Sequence, residues 1–308
     1  MRGNLTVPMT LLLLAMLAVA PLQWRDPSPH QVRFVTVDTS TRLEVLDWGG
    51  SGRPVLFVGC YLTGHVYDDI APKLTDQFHV YAVTRRGVGA SDHPASGYDP
   101  GRRAADILEV ITALGMRKPI LIGNSCGGAI LHALGAQHPD RIGGLIYLDA
   151  AEDPTLRGSD YDSPPVDTAH MPEHVQRKSG PVALPESEMR QLQQFPLDSV
   201  IRKAIVQDNN VRPDYEHIAV PALVIFRTKT WGEALADFPP RNDEERAALA
   251  QAYVSAAAML SRWESDVRKG MRTARIVELP GASLYMFLSN EADIIRELRG
   301  FAASLPPR

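Results

Sequence analysis

Cysteine is scarce in this chain: the 308 residues include only Cys60 and Cys126, far apart in sequence. Neither belongs to a Cys-x-x-Cys pair or a Cys/His cluster, so the usual spacings of a structural zinc site are missing. The aromatic residues of the longest helical pattern are interpreted as core rather than as a cofactor site. We therefore expect neither a metal nor a cofactor.

A strong charge of either sign is also lacking. The 32 basic and 36 acidic residues give a net charge of -4 and form no run of like sign. Binding to nucleic acid or to anionic lipid depends on basic patches, so neither partner is expected. A hydrophobic content of 44% is enough for a large buried core. The composition favours a small-molecule ligand.

Long apolar runs are missing after the N-terminus. Arg2 precedes a mostly apolar segment from Leu11 to Ala20, which is shorter than the roughly 20 residues of a membrane span. The segment resembles a secretory signal, with Ala18 and Ala20 in an A-x-A cleavage site, although Pro21 would hinder the cut. We expect residues 1–30 to be a signal peptide or a retained membrane anchor with its linker, and the protein to be exported to the periplasm or the outside of the cell.

Short apolar segments alternate with amphipathic ones between residues 31 and 150, which is typical of a mostly parallel sheet with helices on both faces. The segments QVRFVTVD and RLEVLDW predict an antiparallel hairpin. RPVLFV, HVYAV, PILIGN and GLIYLDA predict buried strands. Asp99 caps a predicted helix that ends at Gly115.

The alternation stops between residues 152 and 218, where a Pro-rich polar stretch precedes a helical segment near 186–208. This region predicts a cap insertion within a single domain of residues 31–308. The alternation resumes with HIAVPALVIFR, a long helix over about 242–269, the strand TARIVEL and a final helix. The predicted fold class is α/β, with the insertion after the sixth strand.

One motif indicates chemistry. Residues Gly123–Gly127 have the pattern G-x-S-x-G, between the apolar strand PILI and the helical segment GGAILHALGAQH. Glycines two positions before and after Ser125 permit a tight turn that raises the serine hydroxyl above the sheet. The N-terminus of the following helix favours negative charge that develops there. Ser125 is therefore the candidate nucleophile.

With VTRRGVGASD after the fourth strand and HPDRIGGLIYLDA leading into the sixth, the chain resembles the α/β-hydrolase fold family over about residues 31–304. TGHVYDDIAPKL and ELPGASLYMFLSNEADIIRELRGF are similar to a bacterial subfamily of these hydrolases. The resemblance implies an esterase-like serine hydrolase with an α/β-hydrolase sheet. It also places the family's catalytic histidine where this chain has Leu284.

The same resemblance implies two oxyanion-hole amides, those of Cys126 and Cys60. The family's common His-Gly at the start of the second loop is Val58-Gly59 here, a change that leaves the backbone amide available. If both cysteines supply these amides, they lie close in space, and their Cα atoms could fall within the roughly 4.4 to 6.8 Å that a disulfide needs. We expect two free thiols that pack together, with a disulfide as the alternative.

The acid that would orient a catalytic base has two possible places. The family often carries it after the seventh strand, where this chain has Arg227 and Thr230 in place of the usual glycine and aspartate. Asp149, at the end of the sixth strand, is the better candidate, although it suits a loop cap equally well. Glu152 and Asp153 are weaker candidates.

Serine attacks a carbonyl usefully only when a base removes its proton, and leucine has no atom that accepts one. His65, His170 and His174 are the best-placed remaining histidines. We predict a catalytically impaired hydrolase that retains a pocket for a small ester or carbonyl ligand. The alternative is an active carboxylic-ester hydrolase that uses one of these three histidines as an unusual base. The expected pocket-lining residues, each equally suited to a core or loop position, are Tyr61, Leu62, Trp231 and Met286.

Overall fold

Eight strands form one sheet in the computed structural model, which describes residues 26–156 and 183–306. The strands are β1 Gln31–Val37, β2 Thr41–Gly49, β3 Arg53–Val58, β4 Phe78–Thr84, β5 Ile120–Asn124, β6 Gly144–Leu148, β7 Ala222–Thr228 and β8 Ala274–Pro280. They lie in the order β1-β2-β4-β3-β5-β6-β7-β8. β2 runs antiparallel to β1 and to β4, and the other neighbouring pairs are parallel. The predicted α/β sheet with an initial hairpin is confirmed.

Helices cover both faces of this sheet. Those of the described residues are α1 Pro100–Ala113, α2 Gly128–Gln137, α3 Glu186–Gln194, α4 Ser199–Asp208, α5 Trp231–Asp237, α6 Asp243–Gly270, α7 Met286–Ser289 and α8 Glu291–Ser304. Asp99 caps α1 as predicted, because its Oδ1 accepts a hydrogen bond from the backbone nitrogen of Arg102 at 2.8 Å. Asn242 caps α6 in the same way, through the backbone nitrogen of Glu245.

The core lies in two layers, one on each face of the sheet. Along β3, Leu56 and Val58 pack into one layer, whereas Val55 and Phe57 pack into the other, because successive side chains of a strand point to opposite faces. The first layer lies under α1, α2 and α6, and the second under α8 and the turns after β3. Burial on both faces explains why the central strands are almost continuously apolar, since each buried side chain of this size contributes roughly 1.5–3 kcal/mol.

The longest helix, α6, only partly follows its prediction as a packed core helix. Leu249 and Val267 are buried near its two ends, but Tyr253 and Trp263 are half-buried. Both aromatic residues border a cavity of about 540 Å³ that lies between α5, α6 and the ends of β7 and β8. The apolar stripe of α6 therefore lines an open space as well as filling core.

The predicted insertion, residues 152–218, is described in part, since residues 157–182 lie outside the described residues. The expected helical segment consists of two helices, α3 and α4, which are separated at Pro196, a residue that cannot continue a helix. Glu188 of α3 is fully buried and accepts a hydrogen bond from the backbone nitrogen of Thr63 at 3.0 Å. α3 is therefore joined to the turn after β3, and the role of the whole insertion as a cap stays a prediction.

Residues 26–30 lie against the sheet, where the indole nitrogen of Trp48 donates a hydrogen bond to Ser28 Oγ at 2.8 Å. The predicted signal or anchor is in residues 1–30, of which 1–25 lie outside the described residues. No helix in the described part of the chain is sufficiently long and apolar to span a membrane. Export therefore stays a prediction.

Candidate active site

Ser125 lies at a sharp turn between β5 and α2. β5 ends at Asn124, and Ser125–Gly127 form one 3-10 turn that leads into the helix. The φ angle of Ser125 is 49°, in the left-handed region that a non-glycine residue adopts at a cost of roughly 1–3 kcal/mol. A strained turn of this kind is what the G-x-S-x-G pattern predicts, because it lifts the side chain off the end of the strand.

Two glycines after Ser125 allow this turn to pack closely against its neighbours. A Cβ atom at Gly127 would overlap the carbonyl oxygen of Val58 at the end of β3. A Cβ atom at Gly128 would overlap the carbonyl oxygen of Ala150 after β6. The turn is therefore held against the carboxyl ends of both strands, and only glycine fits at these two contacts.

A cavity of about 120 Å³ includes Ser125 in its wall. The rest of the wall comes from Asn124, from the loop after β3 (residues 59–62), from Val66 and Tyr67 on the following turn, and from Leu284, Tyr285 and Phe287 at the start of α7. An apolar cavity of about 150 Å³ is known to hold benzene. The cavity beside Ser125 is therefore suited to a short acyl or carbonyl group of a few heavy atoms.

Two of the four residues expected to line the pocket, Tyr61 and Leu62, border this cavity. Trp231 begins α5, where its ring lies 5.5 Å from the ring of Tyr253. Met286 is fully buried in the core. The loop after β3 was thus predicted correctly as pocket wall, whereas the two C-terminal residues have other positions.

Leu284 lines the same cavity as Ser125. Asn124 fixes its backbone there, because the side-chain Nδ2 of Asn124 donates hydrogen bonds to the carbonyl oxygens of Leu148 and Leu284, each at 2.9 Å. The residue before Ser125 therefore ties the loop that contains Leu284 to the serine turn. Sequence reasoning missed this role of Asn124, although an amide side chain at the end of an apolar strand was a signal for it.

The described residues around the cavity provide no base for Ser125. Apart from the serine, the ionisable side chains in its wall are Tyr61, Tyr67 and Tyr285. Burial raises the pKa of Tyr67 above its ordinary value, and the charge of Glu188 adds to the rise. Burial likewise raises the pKa of Tyr285. These two phenols therefore keep their protons at neutral pH and cannot accept one from the serine.

His65, the candidate base among the described residues, does not border the cavity. Its side chain is buried, with Nδ1 2.9 Å from Asp26 Oδ2 and 3.2 Å from Asp68 Oδ2. Its Nε2 lies 3.2 Å from the side-chain nitrogen of Gln191. Both ring nitrogens therefore face polar groups other than Ser125.

His170 and His174, the other candidate bases, lie outside the described residues. Both belong to the predicted insertion between β6 and β7. Their possible action as a base on Ser125 stays a hypothesis.

Asp149, the candidate acid, directly follows β6 and has a φ angle of 49°. Its Oδ2 accepts a hydrogen bond from Nε of Arg227 at 2.5 Å. Burial raises the pKa of Asp149, and Arg227 opposes that rise. The pair borders the large cavity beside α6, whereas neither residue borders the cavity that includes Ser125. The candidate acid is thus joined by an ion pair to Arg227, the residue that stands in place of the family's usual glycine after the seventh strand.

Glu152 and Asp153, the two weaker acid candidates, lie three and four residues after Asp149 in the chain. Burial raises the pKa of Glu152 to about 7, and the charge of Asp149 adds to the rise. Asp153 is buried, and its Oδ1 accepts hydrogen bonds from the backbone nitrogen and the hydroxyl of Thr155 at 2.9 and 2.6 Å. Neither residue borders the cavity beside Ser125, and Asp153 serves as a loop cap.

The expectation of two free thiols is wrong, because Cys60 and Cys126 form a disulfide with their Cα atoms 5.0 Å apart. The bond joins the loop after β3 to the turn after β5, the two segments that carry the candidate oxyanion amides. The sequence predicted that the cysteines lie close together. The direction of each Cβ atom, which decides between packing and bonding, depends on how the two strand ends are arranged.

Sequence reasoning also missed a buried arginine beside the cavity. Arg85 follows β4, and its guanidinium lies 5.3 Å from the ring centre of Tyr61 in the cavity wall. Within the described chain its three guanidinium nitrogens have no hydrogen-bond partner. Burial lowers the pKa of Arg85, and the charge of Arg103 lowers it further. A buried cation at this place makes the local potential favourable to negative charge on a ligand.

The chain matches a family model described as alpha/beta hydrolase fold over residues 53–181. It is 32% identical to a soluble epoxide hydrolase from Corynebacterium sp. (strain C12) over 127 residues, which are 41% of this chain and 43% of that protein. It is 34% identical to a 2-(acetamidomethylene)succinate hydrolase from Mesorhizobium japonicum over 101 residues, which are 32% of this chain and 36% of that protein. The chain thus spans less than half the length of these two relatives.

Solved structures extend the likeness to most of the chain. A bromoperoxidase from Bacillus anthracis has a TM-score of 0.67 and 14% identity, with 89% of this chain and 100% of that chain covered. An esterase from Exiguobacterium antarcticum has a TM-score of 0.65 and 19% identity, with the same coverage of 89% and 100%. At these identities the likeness shows the fold alone.

Proposed function

We propose that this chain, which matches an α/β-hydrolase fold family model over residues 53–181, is a catalytically impaired serine hydrolase whose pocket binds a small ester or carbonyl compound. The observation that carries the proposal is Leu284, which stands in the cavity wall together with Ser125. A hydrocarbon side chain there cannot take the proton of a nucleophilic serine.

The expected loss of activity is large. Removal of the histidine from a serine triad costs on the order of 10⁶ in turnover, while roughly 10³ to 10⁴ over water remains from the oxyanion hole and binding. Asp149 would give little help to a substitute base, because its carboxylate is already bound to Arg227. Hydrolysis would thus remain faster than in water but far slower than in an intact enzyme.

Three features support retention of a binding pocket. The left-handed turn at Ser125 persists although it is strained, and such strain is kept only where the surrounding structure enforces it. The disulfide between Cys60 and Cys126 restrains the two segments that carry the candidate oxyanion amides. The buried charge of Arg85 favours a ligand oxygen with partial negative charge beside Tyr61.

Catalytic impairment is tested with p-nitrophenyl acetate and p-nitrophenyl butyrate, whose acyl groups fit a cavity of about 120 Å³. We expect the wild-type protein and Ser125→Ala to hydrolyse both esters at low rates that differ by less than about tenfold. Rates typical of esterases that Ser125→Ala abolishes would support the alternative of an active hydrolase. His65→Gln, His170→Gln and His174→Gln would then identify the unusual base.

Ligand binding is tested separately, with butyramide as a small carbonyl probe that contains no ester bond. Saturation-transfer NMR is expected to detect its binding to the wild-type protein. Leu62→Phe adds bulk to the cavity wall and should abolish the signal, whereas Val254→Phe, at an exposed position of α6, should leave it unchanged. Equal signals from the two variants would place the probe elsewhere and refute retention of this pocket.

We further propose that the protein acts in the periplasm or outside the cell, free or held by an uncleaved N-terminal segment. The disulfide supports this location, because oxidising compartments preserve such bonds and the cytosol does not. Fractionation of cells that express the full chain, with mass spectrometry of the mature N-terminus, tests the proposal. Recovery of the intact chain in the cytosol alone would refute it.

A further inference from the structure

Two acidic and two histidine side chains meet at a place separate from the Ser125 cavity. Asp26 and His30 come from the segment before β1, and His65 and Asp68 come from the turn after β3. One nitrogen or oxygen atom of each residue lies within 4.8 Å of the corresponding atom of every other. None of the four borders the cavity with Ser125.

The contacts within this group do not form a complete hydrogen-bond network. His65 Nδ1 lies 2.9 Å from Asp26 Oδ2 and 3.2 Å from Asp68 Oδ2, although one ring nitrogen can donate a single proton. His30 Nδ1 lies 3.0 Å from Asp68 Oδ1, yet the two atoms do not have hydrogen-bond geometry. Both are buried, with 4% of each side chain exposed, and neither has a hydrogen-bond partner in the described chain. The donor atoms therefore converge without satisfying one another.

The charge around this group also favours a bound cation. Glu44 Oε1 lies 3.9 Å from His65 Nε2, and its side chain is only 3% exposed. With Asp26 and Asp68 it gives three carboxylates against the two imidazoles, so negative charge is in excess even when both imidazoles carry protons. Burial of unbalanced charge is costly, and a divalent cation would remove the excess.

The donor set fits zinc. Zinc binds imidazole nitrogen at about 2.0–2.1 Å and carboxylate oxygen at about 2.0–2.2 Å, which places the ligand atoms of a tetrahedron roughly 3.3 Å apart. His65 Nδ1 lies 2.9 Å from Asp26 Oδ2 and 3.2 Å from Asp68 Oδ2, and His30 Nδ1 lies 3.0 Å from the other oxygen of Asp68, Oδ1. With one ligand atom from each residue, all four atoms lie within 4.8 Å of one another, so small side-chain movements would bring them to tetrahedral spacing. We propose that Asp26, His30, His65 and Asp68 form a four-ligand zinc site.

Gln191 on α3 is suited to orient the His65 ligand. When Nδ1 of a histidine binds a metal, its Nε2 carries the proton and needs an acceptor. The side-chain nitrogen of Gln191 lies 3.2 Å from His65 Nε2, and its Oε1 is buried without a hydrogen-bond partner in the described chain. Rotation of the amide by half a turn, which exchanges two nearly indistinguishable atoms, brings the oxygen to Nε2 and satisfies both groups.

A cleft of about 540 Å³ gives the ion a path to the site, since Asp26 and Asp68 form part of its wall. The ion would join the segment before β1 to the turn after β3, and through Gln191 to α3. Because that turn directly continues the loop of the Ser125 cavity, the site has a structural role beside the pocket. The inference is independent of whether Ser125 is catalytic.

The test uses the full chain, stripped of metal with a chelator and titrated with zinc chloride by calorimetry. We expect one zinc ion per chain, confirmed by elemental analysis, and a rise in Tm that the chelator reverses. His30→Gln and Asp26→Asn should each weaken zinc binding by roughly 100-fold or more. Co²⁺ in place of zinc should show the intense visible absorption of a tetrahedral site in the wild-type protein.

His217→Gln is the matched control. His217 also pairs with an aspartate, Asp214 at 2.7 Å, but this pair is exposed and does not belong to the proposed site. This variant should bind zinc like the wild-type protein. Circular dichroism shows whether each variant folds. If a ligand variant does not fold, the zinc-dependent Tm and the Co²⁺ spectrum of the wild-type protein test the proposal instead. No zinc uptake by the wild-type protein, or equal affinity in the folded His30→Gln and His217→Gln variants, would overturn the proposal.

Discussion

The substitution Leu284→His returns an imidazole to the cavity wall that includes Ser125. Asn124 Nδ2 holds the carbonyl oxygen of residue 284 at 2.9 Å through the backbone, so the new side chain should begin from the same place. Histidine and leucine have similar volumes, and residue 284 is half-buried, so the exchange should leave the fold intact. The substitution therefore adds a base and little else.

The expected gain in turnover from Leu284→His depends on two parts of a serine triad, the base and the acid that orients it. In a serine protease, loss of the histidine costs about 2 × 10⁶ in kcat, whereas loss of the aspartate alone costs about 3 × 10⁴. Leu284→His supplies the base, but Asp149 stays bound to Arg227 and cannot orient it. The gain should therefore be the ratio of these costs, between roughly 30-fold and 100-fold, rather than the full 10⁶.

The assay is hydrolysis of p-nitrophenyl butyrate, measured as kcat/KM from pH 5 to pH 8. The gain should grow with pH through the ordinary pKa of histidine, about 6.5, since only the neutral imidazole acts as a base. Leu284→Gln is the matched control, because glutamine is polar and of similar size but accepts no proton at these pH values. Ser125→Ala in the Leu284→His background should remove the gain.

Equal activity of folded Leu284→His and Leu284→Gln proteins would refute the reasoning. It would mean that the site lacks more than its base, for example a productive direction of the Ser125 hydroxyl. A gain that survives Ser125→Ala would assign hydrolysis to the new imidazole itself and would equally refute a role for the serine.

Three further predictions concern stability, each measured as the free energy of unfolding in urea. Burial lowers the pKa of His132, which stacks on Tyr147, to about 3, so the stability linked to its neutral form is complete above pH 6.5 and is lost as the pH falls. The wild-type free energy of unfolding should fall by about 2 kcal/mol between pH 7.5 and pH 5, and His132→Phe should lack this decline; a decline of wild-type size in the variant would contradict the assignment. Burial raises the pKa of Glu152 to about 7, so its contribution to stability is complete below pH 4.5 and is lost as the pH rises through 7. The wild-type free energy of unfolding should therefore fall by about 2 to 3 kcal/mol between pH 5 and pH 8, and Glu152→Gln should lack this fall. A fall of wild-type size in the variant would assign the pH dependence to another residue. Reduction of the Cys60–Cys126 bond, which closes a loop with a sequence separation of 66, should cost about 4 kcal/mol, whereas a double Cys→Ser variant should not respond to reductant.

Most of the fold was predictable because its signals are local. The caps at Asp99 and Asn242 lie next to the helices they begin, and the apolar strands are bounded by Gly or Pro. The half-buried state of Trp263 was not predictable, since helical spacing shows which face is apolar and not what packs against it.

The candidate site was predictable as a set of positions and not as a set of contacts. Ser125, Leu284 and the loop at Tyr61 do border one cavity. The pairing of Asp149 with Arg227 was missed, because it joins the ends of neighbouring parallel strands that are far apart in the chain. The sequence expectation of no metal depended on cysteine spacing and stays a prediction, because the approach of Asp26, His30, His65 and Asp68 from two separate segments is visible only in the tertiary structure.

The sequence by itself determined the succession of strands and helices along the chain and the turn at Ser125, because both depend on neighbouring residues. It also determined that position 284 has no imidazole, which depends on residue identity alone. Only the tertiary structure decided that Cys60 and Cys126 are bonded, that Asp149 is bound by Arg227, and that His65 faces Asp26 and Asp68 rather than Ser125. Those outcomes depend on the directions of side chains at strand ends and turns, which are set by the packing of the whole sheet rather than by any local stretch of chain.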